Sequence, residues 1–595
     1  MQSESPHAEY THRLSAIAES TARHKRRDNL LAATKLVLGL FIVLLAIWLV
    51  KYHATKILFL LIPILLFVVL AVLHERVLRH LRDCSRLRAY YERGISRIEN
   101  RWAGAGETGE RFLDFAHPYA RDLDIFGPAS LFQLLCTART RSGEDTLAAW
   151  LNTAADTYEI LERQQAVQEL APKLDLRERL VLAGEELRAG AHPESLVTWA
   201  EGKTSLNRPL IRIATFALTA FWVLSLVAWW KWDWLAAAFF MSVVNFGISY
   251  ALRSRLNATA AGVDGAQHDL ALLAALLNLI EKEDAAAPKF LQLKSRLAQS
   301  GSLASKAISN LDKRLAWFDS RLNWFVQIVE PFIFYTTHCL LAIDVWRGRH
   351  GAAIREWLAV TGEAEALSAF AVYLYEHPSD TFPQFLADGP SFQAESLAHP
   401  LLPRDRAIPN DLSLGRDLQL LVISGPNMAG KSTFIRSIGV NAVLAQAGAP
   451  VCARRLTLSS LQVTASICIL DSLQGGLSRF YAEISRLKQI DDLSKANASV
   501  LFLLDELLSG TNSYDRRIGT ESFVRSLLAR GAIGLVTTHD LALAEIAEGI
   551  GPVAANFHFS DRFEDGKLYF DYKLSPGIVQ TTNALLLMRS IGLEV

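Results

Sequence analysis

The sequence predicts an α/β domain in its C-terminal third, a mostly helical body, and two pairs of membrane-spanning helices. Short runs of consecutive apolar residues, typical of buried strands, occur in the last 200 residues or so. Long uncharged apolar runs occur in two closely spaced pairs, and the segments between them repeat apolar residues every three or four positions. The 595 residues are enough for several domains.

Charge and cysteine content restrict the class of protein. Lys and Arg total 61 and Asp and Glu total 61, so no global positive field indicates nucleic-acid binding, although charge segregated onto one face would still allow it. The five cysteines are scattered and form no C-x-x-C pair. This pattern favours reduced thiols over a zinc site or a disulfide framework.

Four apolar runs approach the length of about 20 residues that a helix needs to cross a bilayer. Within each pair the connection is very short, which predicts two transmembrane hairpins at 29–75 and 211–254. A fifth apolar run, Phe325–Val345, contains Glu330, Pro331, His338 and Asp344, and we predict that it belongs to a soluble core. The four spanning runs are Leu36–Val50 (extendable to Leu30), Ile57–Leu73, Ile213–Trp230 and Trp234–Leu252.

The flanking charges predict the orientation of these hairpins. Lys and Arg are more frequent outside the hairpins than in their turns, and cytoplasmic segments carry such an excess. We therefore expect a multi-pass protein of the membrane, the cytoplasmic (inner) membrane if the source is bacterial. The N-terminal tail 1–28 and the remaining long segments would be cytoplasmic.

Two helical segments, 76–210 and 255–398, make up the predicted body. Ser130 precedes an apolar helical pattern and is a plausible N-cap, because its hydroxyl can accept from a free N–H of the first turn. Pro and Gly become frequent between 376 and 416, which places a domain boundary before 399–595.

The strongest motif follows the apolar run Gln419–Ser424. It fits G-x-x-x-x-G-K-[ST] between a strand and a helix, the phosphate-binding loop of ATPases. Backbone N–H groups of such a loop surround phosphate oxygens, Lys431 reaches the outer phosphates and the Ser432 hydroxyl binds Mg²⁺. The predicted ATP-binding residues are Gly425, Pro426, Asn427, Met428, Ala429, Gly430, Lys431, Ser432 and Thr433.

Two further strands end in residues suited to hydrolysis. The run from Ser499 closes on Asp505 and Glu506, which predicts Asp505 as a Mg²⁺ ligand and Glu506 as the general base that activates water. Ile533–Thr538 is followed by His539, placed to sense the γ-phosphate because such strand ends line the ligand crevice. The sequence thus predicts an enzyme, a P-loop ATPase that uses ATP and Mg²⁺.

At these motifs the sequence resembles the MutS family of mismatch-repair ATPases. The Gly-Pro-Asn-Met-Ala-Gly-Lys-Ser-Thr loop, the segment Leu504–Asp515 and the pair Thr538-His539 match that family's motifs. Segment 478–483 resembles its Ser-x-Phe-x-x-Glu signature. The resemblance implies an ATPase domain of the ABC type at 399–595, a core and lever in the helical body, and a homodimer in which Ser478 acts on the partner's nucleotide.

The sequence also departs from the family pattern. The first 200 residues contain no Phe-x-Glu, and a predicted hairpin occupies the place of the mismatch-binding domain. Ala407 stands where the family often has an adenine-stacking Phe. We therefore expect a membrane-anchored member that lacks the mismatch-binding domain.

Three functions are compatible with these features. The first is a membrane-anchored ATPase coupled to DNA in repair or recombination. The second is an ATP-driven switch that acts on a protein or lipid partner without DNA. The least favoured is an ABC-type transporter, because no Leu-Ser-Gly-Gly-Gln precedes the second motif strand and the predicted spans offer no ionisable path for a polar substrate.

Overall fold

The computed structural model describes residues 5–52, 59–183, 193–202, 209–260, 267–299, 303–426, 428–467, 479–496, 499–508, 510–564 and 567–579. The chain divides into two compact units. One comprises Met1–Trp102 with Leu174–Glu185, and the other Ala103–Lys173 with Glu186–Val595.

Helices dominate the first two thirds of the chain, as the sequence predicts. In chain order they are α1 Pro6–Tyr52, α2 Leu61–Ile98, α3 Leu131–Leu135, α4 Arg141–Asn152, α5 Thr157–Leu170, α6 Leu174–Ala183, α7 Pro193–Glu201, α8 Pro209–Trp232, α9 Leu235–Ala260, α10 Gln267–Lys282, α11 Pro288–Ala298, α12 Ala304–Asp319, α13 Trp324–Ile333, α14 Tyr335–His350, α15 Ile354–Glu376, α16 Lys431–Ala447, α17 Arg479–Ala496, α18 Ser513–Ala529 and α19 Leu541–Ile550.

In the described part of the chain, strands occur only after α15. They are β1 Gln384–Leu386, β2 Phe392–Leu397, β3 Asn410–Leu414, β4 Leu420–Ser424, β5 Arg455–Ser459, β6 Gln462–Ser466, β7 Val500–Asp505, β8 Ile533–Thr538, β9 Ala554–His558, β10 Asp561–Glu564, β11 Lys567–Phe570 and β12 Ser575–Pro576.

The first unit is a long antiparallel helix pair. The rings of Tyr10 on α1 and Tyr91 on α2 lie 5.2 Å apart, whereas Asp28 contacts His74 at 2.7 Å much further along both helices. Short α6 joins the pair through Glu178, which accepts a 2.9 Å hydrogen bond from Arg13. The apolar stretches of α1 and α2 expose their side chains.

Helices α8 and α9 form a second antiparallel pair. The indole N–H of Trp222 donates to Ser242 at 2.9 Å, and Asn245 lies opposite Leu218. In the described part of the chain, three helices are long and apolar enough to cross a membrane: α1, α2 and residues 212–232 of α8. The apolar part of α9, Leu235–Ala251, is shorter.

The fifth apolar run does not behave as the sequence predicts. Its second half, in α14, buries Leu340, Leu341 and Ile343 as expected of a core helix. Its first half, α13, is separated from α14 by Phe334, a left-handed residue with φ 50°. In α13, Ile328 is 57% exposed. The prediction that this run is buried in a core is therefore wrong for α13, in which no described side chain is buried. Taken together, Val326–Ile333 and the helical stretch from Tyr335 have the length and apolar composition of one membrane span, with a bend of 72° between them.

A six-stranded sheet forms the centre of the C-terminal region, in the order β12-β9-β4-β8-β7-β6. All neighbours pair in parallel except β12, which is antiparallel to β9. Strands β4, β7 and β8 are buried along nearly their whole length because helices cover the sheet. Helices α17, α18 and α19 bury Ile490, Leu527 and Ala547 against it. A four-stranded sheet, β1-β5-β2-β3, precedes it.

Parallel pairing brings the motif strands to one edge. Ser424 at the end of β4 is the register partner of Thr538 on β8, and Asp505 at the end of β7 is the partner of Thr537. The carboxyl ends of the three predicted motif strands therefore meet, at the place where open α/β sheets bind ligands. The predicted N-cap Ser130 is confirmed, since its hydroxyl accepts from the backbone N–H of Gln133.

Candidate functional site

The loop between β4 and α16 requires glycine at both ends. Gly425 has φ +150° and Gly430 has φ +98°, conformations that residues with a Cβ rarely adopt. A Cβ on Gly425 would lie 2.7 Å from the carbonyl oxygen of Phe559, and one on Gly430 would lie 3.0 Å from the ring of Tyr572. Met428, also left-handed, is 84% exposed at the rim, and Asn427 lies outside the described residues.

Lys431, the first residue of α16, is held inside this loop. Its ammonium group donates to the carbonyl oxygens of Gly425 at 2.8 Å and Pro426 at 3.0 Å, and lies 4.0 Å from the Glu506 carboxylate. The side chain is buried, and burial lowers the pKa of Lys431 while the carboxylates of Glu506 and Asp505 oppose the shift. The amine can exchange the loop carbonyls for phosphate oxygens.

The end of β7 places two carboxylates at the same edge of the sheet. Asp505 accepts a hydrogen bond from the Thr537 hydroxyl on the adjacent strand. Glu506 has φ +47°, a conformation that costs about 1–3 kcal/mol in a non-glycine residue and is concentrated at functional sites. Its Oε1 lies 3.3 Å from Nδ1 of His539, so the third predicted strand supplies a neighbour for the predicted base.

These residues border one cavity of about 680 Å³. Its wall includes the phosphate-binding-loop residues Met428 and Gly430, then Lys431, Ser432 and Thr433 from α16, and both carboxylates of the β7 end. Gly425, Pro426 and Ala429 shape the loop behind this wall, and His539 reaches the site through Glu506. Ser478, predicted to act across a dimer, lies outside the described residues.

The cavity wall suits a Mg²⁺–nucleotide complex. The Ser432 hydroxyl and the Asp505 carboxylate are oxygen donors, the type that Mg²⁺ prefers when it is shared with phosphates. Among the described residues, no group of three His, Cys, Asp or Glu side chains could hold a metal alone.

Glu483 is a site residue whose local role the sequence did not predict. It lies on α17, is 2% exposed, lines the cavity, and its Oε1 accepts from the backbone N–H of Leu508. Leu508 is itself left-handed at φ 53°. Glu483 therefore fixes the segment that follows the two carboxylates. Its place in the resembling signature was the only available signal.

The opposite wall comes from the segment between β2 and β3 and from the C-terminal strands. Buried His399 lines it, and burial with the nearby Arg436 charge lowers the pKa of His399 to about 4. Tyr572 packs on Gly430, and its carbonyl oxygen accepts from Asn410 at 3.0 Å. Ala407, where an aromatic residue was expected by analogy, lines the cavity beside Ile408.

Comparisons with known proteins agree with this geometry. Residues 421–593 match the family model described as MutS domain V. The chain is similar to an endonuclease MutS2 of Thermomicrobium roseum, 34% identical over 248 residues, covering 41% of this chain and 30% of that protein. It is also similar to a DNA mismatch repair protein MutS of Thermus thermophilus, 32% identical over 239 residues, covering 40% of this chain and 28% of that protein.

The matched region is confined to one part of each relative. The chain spans less than a third of the length of these two curated proteins. A third relative, a DNA mismatch repair protein MutS of Brevibacillus brevis, is 36% identical over 181 residues, covering 30% of this chain and 20% of that protein. The region that builds the cavity described above is therefore similar to MutS domain V and to part of these MutS and MutS2 proteins.

Proposed function

We propose that this protein is a membrane-anchored ATPase of the MutS type in which ATP hydrolysis is coupled to DNA binding in repair or recombination. One observation carries the proposal. Lys431 at the start of α16 and Asp505 and Glu506 at the end of β7 border a single cavity, with His539 at 3.3 Å from Glu506. That set of groups has the chemistry to bind and hydrolyse a nucleoside triphosphate.

Each residue would have a distinct role in the reaction. Lys431 and the loop N–H groups would hold the phosphates at the helix N-terminus. Glu506 would orient and deprotonate the attacking water, and His539, beside it, would report the presence of the terminal phosphate. Ser432 and Asp505 would hold Mg²⁺, which neutralises charge on the phosphates when bound.

Contacts from the helical body support coupling to the nucleotide. A loop before α3 reaches two elements of the ATPase domain. The Asp122 carbonyl accepts from Arg436 of α16 at 3.1 Å, and its carboxylate accepts from the N–H of Ile467 at 2.7 Å. On α17, Arg486 donates to the His117 carbonyl at 2.7 Å. A shift of α16 or α17 on nucleotide binding would therefore move this loop.

The membrane component rests on exposed apolar surface. Helices α1 and α2 and residues 212–232 of α8 have the length and composition of spans, and α9 completes the second hairpin. Large apolar side chains on these helices stay exposed, among them Leu36 at 76% and Phe239 at 70%. Contiguous apolar surface of this extent indicates contact with lipid or protein. We place the protein in the membrane, with the ATPase domain in the cytoplasm.

The family resemblance also supports a homodimer in which ATPase domains share their sites. Ser478 would contact the partner's nucleotide. Mixed dimers of Ser478→Ala and Lys431→Ala chains test this, because each variant alone lacks one half of the site. Activity regained on mixing supports shared sites, and no regain contradicts them.

The test of DNA coupling is ATP turnover by the full chain in lipid nanodiscs. Duplex, mismatched and branched DNA would be added at two salt concentrations. We expect stimulation that weakens at the higher salt, since phosphate contacts release counterions. Turnover that is unchanged by every DNA would contradict the coupling and favour the alternative, a switch that acts on a protein or lipid partner.

A further inference from the structure

Helix α13 presents an apolar surface with large exposed side chains. Trp324 is 62% exposed and Ile328 is 57% exposed, and both lie one turn apart on the same face. Leu322, just before the helix, is 69% exposed. Within α13 the only charged residue is Glu330, which is half-buried. Exposure of an apolar face of this composition to water is unfavourable, and such a face indicates contact with lipid or another apolar surface.

The C-terminal end of α13 packs on the α8–α9 hairpin. The Phe332 ring stacks on the Trp222 indole, with centroids 5.4 Å apart and planes 10° apart. The Asn245 side-chain amide donates to the carbonyl oxygen of Phe332 at 2.8 Å. The Thr219 hydroxyl is shared between the Thr215 carbonyl of its own helix at 2.9 Å and the Ile333 carbonyl at 3.3 Å. Helix α13 is therefore attached to the pair of helices that the proposed function places in lipid.

These two contacts satisfy backbone carbonyl groups at the end of α13. The left-handed Phe334 ends α13, so the carbonyls of its last turn lose their donors four residues on. Such groups bond readily to water at a protein surface, but in hydrocarbon each unsatisfied group costs several kcal/mol. Asn245, which is 0% exposed, and Thr219 provide donors from neighbouring helices. Broken helices at membrane depth are satisfied in this way.

The position along the hairpin indicates depth. At 1.5 Å per residue, Asn245 lies about 15 Å from the start of α9 at Leu235, and Thr219 about 15 Å from the start of α8 at Pro209. The break thus meets the hairpin near its middle, roughly half of a 30 Å hydrocarbon layer. His338 of α14 contacts Phe216, one turn closer to the start of α8, so the chain then moves back toward that end.

We infer that α13 is embedded in the lipid bilayer as a non-spanning element, with Trp324 and Ile328 against acyl chains. The inference rests on the proposed anchoring of α8 and α9. The 72° bend after Ile333 explains why one apolar run forms two helices with different surroundings. The second hairpin would then be a three-element membrane body rather than a simple anchor.

Spin labels on the full chain in nanodiscs test this placement. Single cysteines replace Ile328, Leu224 or Leu291 in a cysteine-free background that retains ATP turnover. Leu224, 60% exposed on α8, is the lipid reference, and Leu291, 50% exposed on α11, is the matched apolar control outside the hairpin. The readout is accessibility to oxygen, which concentrates in lipid, against a water-soluble nickel chelate.

The expected result is that the label at 328 behaves like the label at 224, with an oxygen-to-nickel ratio several-fold above that at 291. A label at 328 that matches 291 while 224 remains in lipid overturns the inference and leaves the anchoring intact. If 224 also matches 291, the anchoring by α8 fails, and the inference with it. Trp324→Cys gives a second labelling site on the same face if the variant at 328 loses ATP turnover.

Discussion

The nucleotide cavity and the α8–α9–α13 cluster both set polar groups among apolar side chains, but they use them differently. In the cavity, Ser432, Asp505 and Glu506 border open space large enough for a ligand. In the cluster, the Asn245 amide and the Thr219 hydroxyl donate to backbone carbonyl oxygens. Polar groups that line an open cavity are available to bind a ligand. Polar groups that are hydrogen-bonded to backbone carbonyls stabilise the fold. Substitutions in the two regions should therefore fail in different ways.

The largest effect is expected at Glu506. Glu506→Ala removes the predicted base, and general-base catalysis contributes about 10²–10⁴-fold, so kcat should fall by that factor while ATP binding persists. Steady-state turnover and equilibrium nucleotide binding measure the two quantities separately. Glu545→Ala, on the exposed part of α19, is the control and should leave both unchanged. A wild-type kcat in the Glu506→Ala variant would show that Glu506 is not the general base.

The next effect concerns Glu483, a positioning residue that holds the N–H of Leu508. Glu483→Leu should lower kcat by about 10- to 100-fold, because a displacement of about 1 Å in catalytic groups can cost that much. Glu483→Gln keeps an acceptor oxygen of similar reach and should restore most of the rate. Equal losses in the two variants would show that the hydrogen bond to Leu508 is not the cause.

A smaller effect is expected from the buried His399. Its pKa of about 4 in the fold is below the unfolded value of about 6.5, so the unfolded chain binds the proton more readily between those values. Stability is fully present above pH 6.5 and falls as pH drops toward 4, by about 2 kcal/mol at pH 5 from this group. Thermal unfolding of wild type and His399→Gln at pH 7 and pH 5 measures the difference. A variant whose Tm falls as much as that of wild type would contradict the assignment.

The smallest effect is expected at Asn245 in the helix cluster. Asn245→Leu removes the donor to Phe332, and interhelical hydrogen bonds in membranes contribute about 0.6 kcal/mol on average. The loss of stability should be no larger than this. Oδ1 of Asn245 is buried without a partner among the described residues, so its desolvation already destabilises the wild-type protein. ATP turnover should be unchanged and the unfolding midpoint slightly lower. A loss of turnover would mean that the cluster communicates with the nucleotide site.

The sequence predicts the motif strands well for a physical reason. The predicted run Ile533–Thr538 coincides with β8, and β4 and β7 agree within a residue, because buried parallel strands are continuous apolar runs with sharp ends. The phosphate-binding loop is equally visible, since its glycines are required by the backbone. These features are local, so they can be read from short segments.

Features that depend on contacts between distant segments were not visible in the sequence. His399 and Tyr572 reach the cavity from segments more than 170 residues apart, and the sequence placed neither side chain in the nucleotide site. The Glu483 contact with Leu508 joins residues 25 positions apart. The error at α13 has a related cause: Glu330 and Pro331 made the run resemble a soluble helix, but Phe334 divides it, and only the second half is buried.

The most direct measurement is ATP turnover by the purified full chain in lipid nanodiscs, compared with Lys431→Ala. Lys431 is buried, lines the cavity, and is the one charged residue in the loop sequence 425–432. We expect Mg²⁺-dependent turnover by wild type and a loss of at least about 100-fold in Lys431→Ala, the scale set by removal of one group that stabilises transition-state charge. Equal turnover by the two proteins would contradict the assignment of this cavity as an ATPase site.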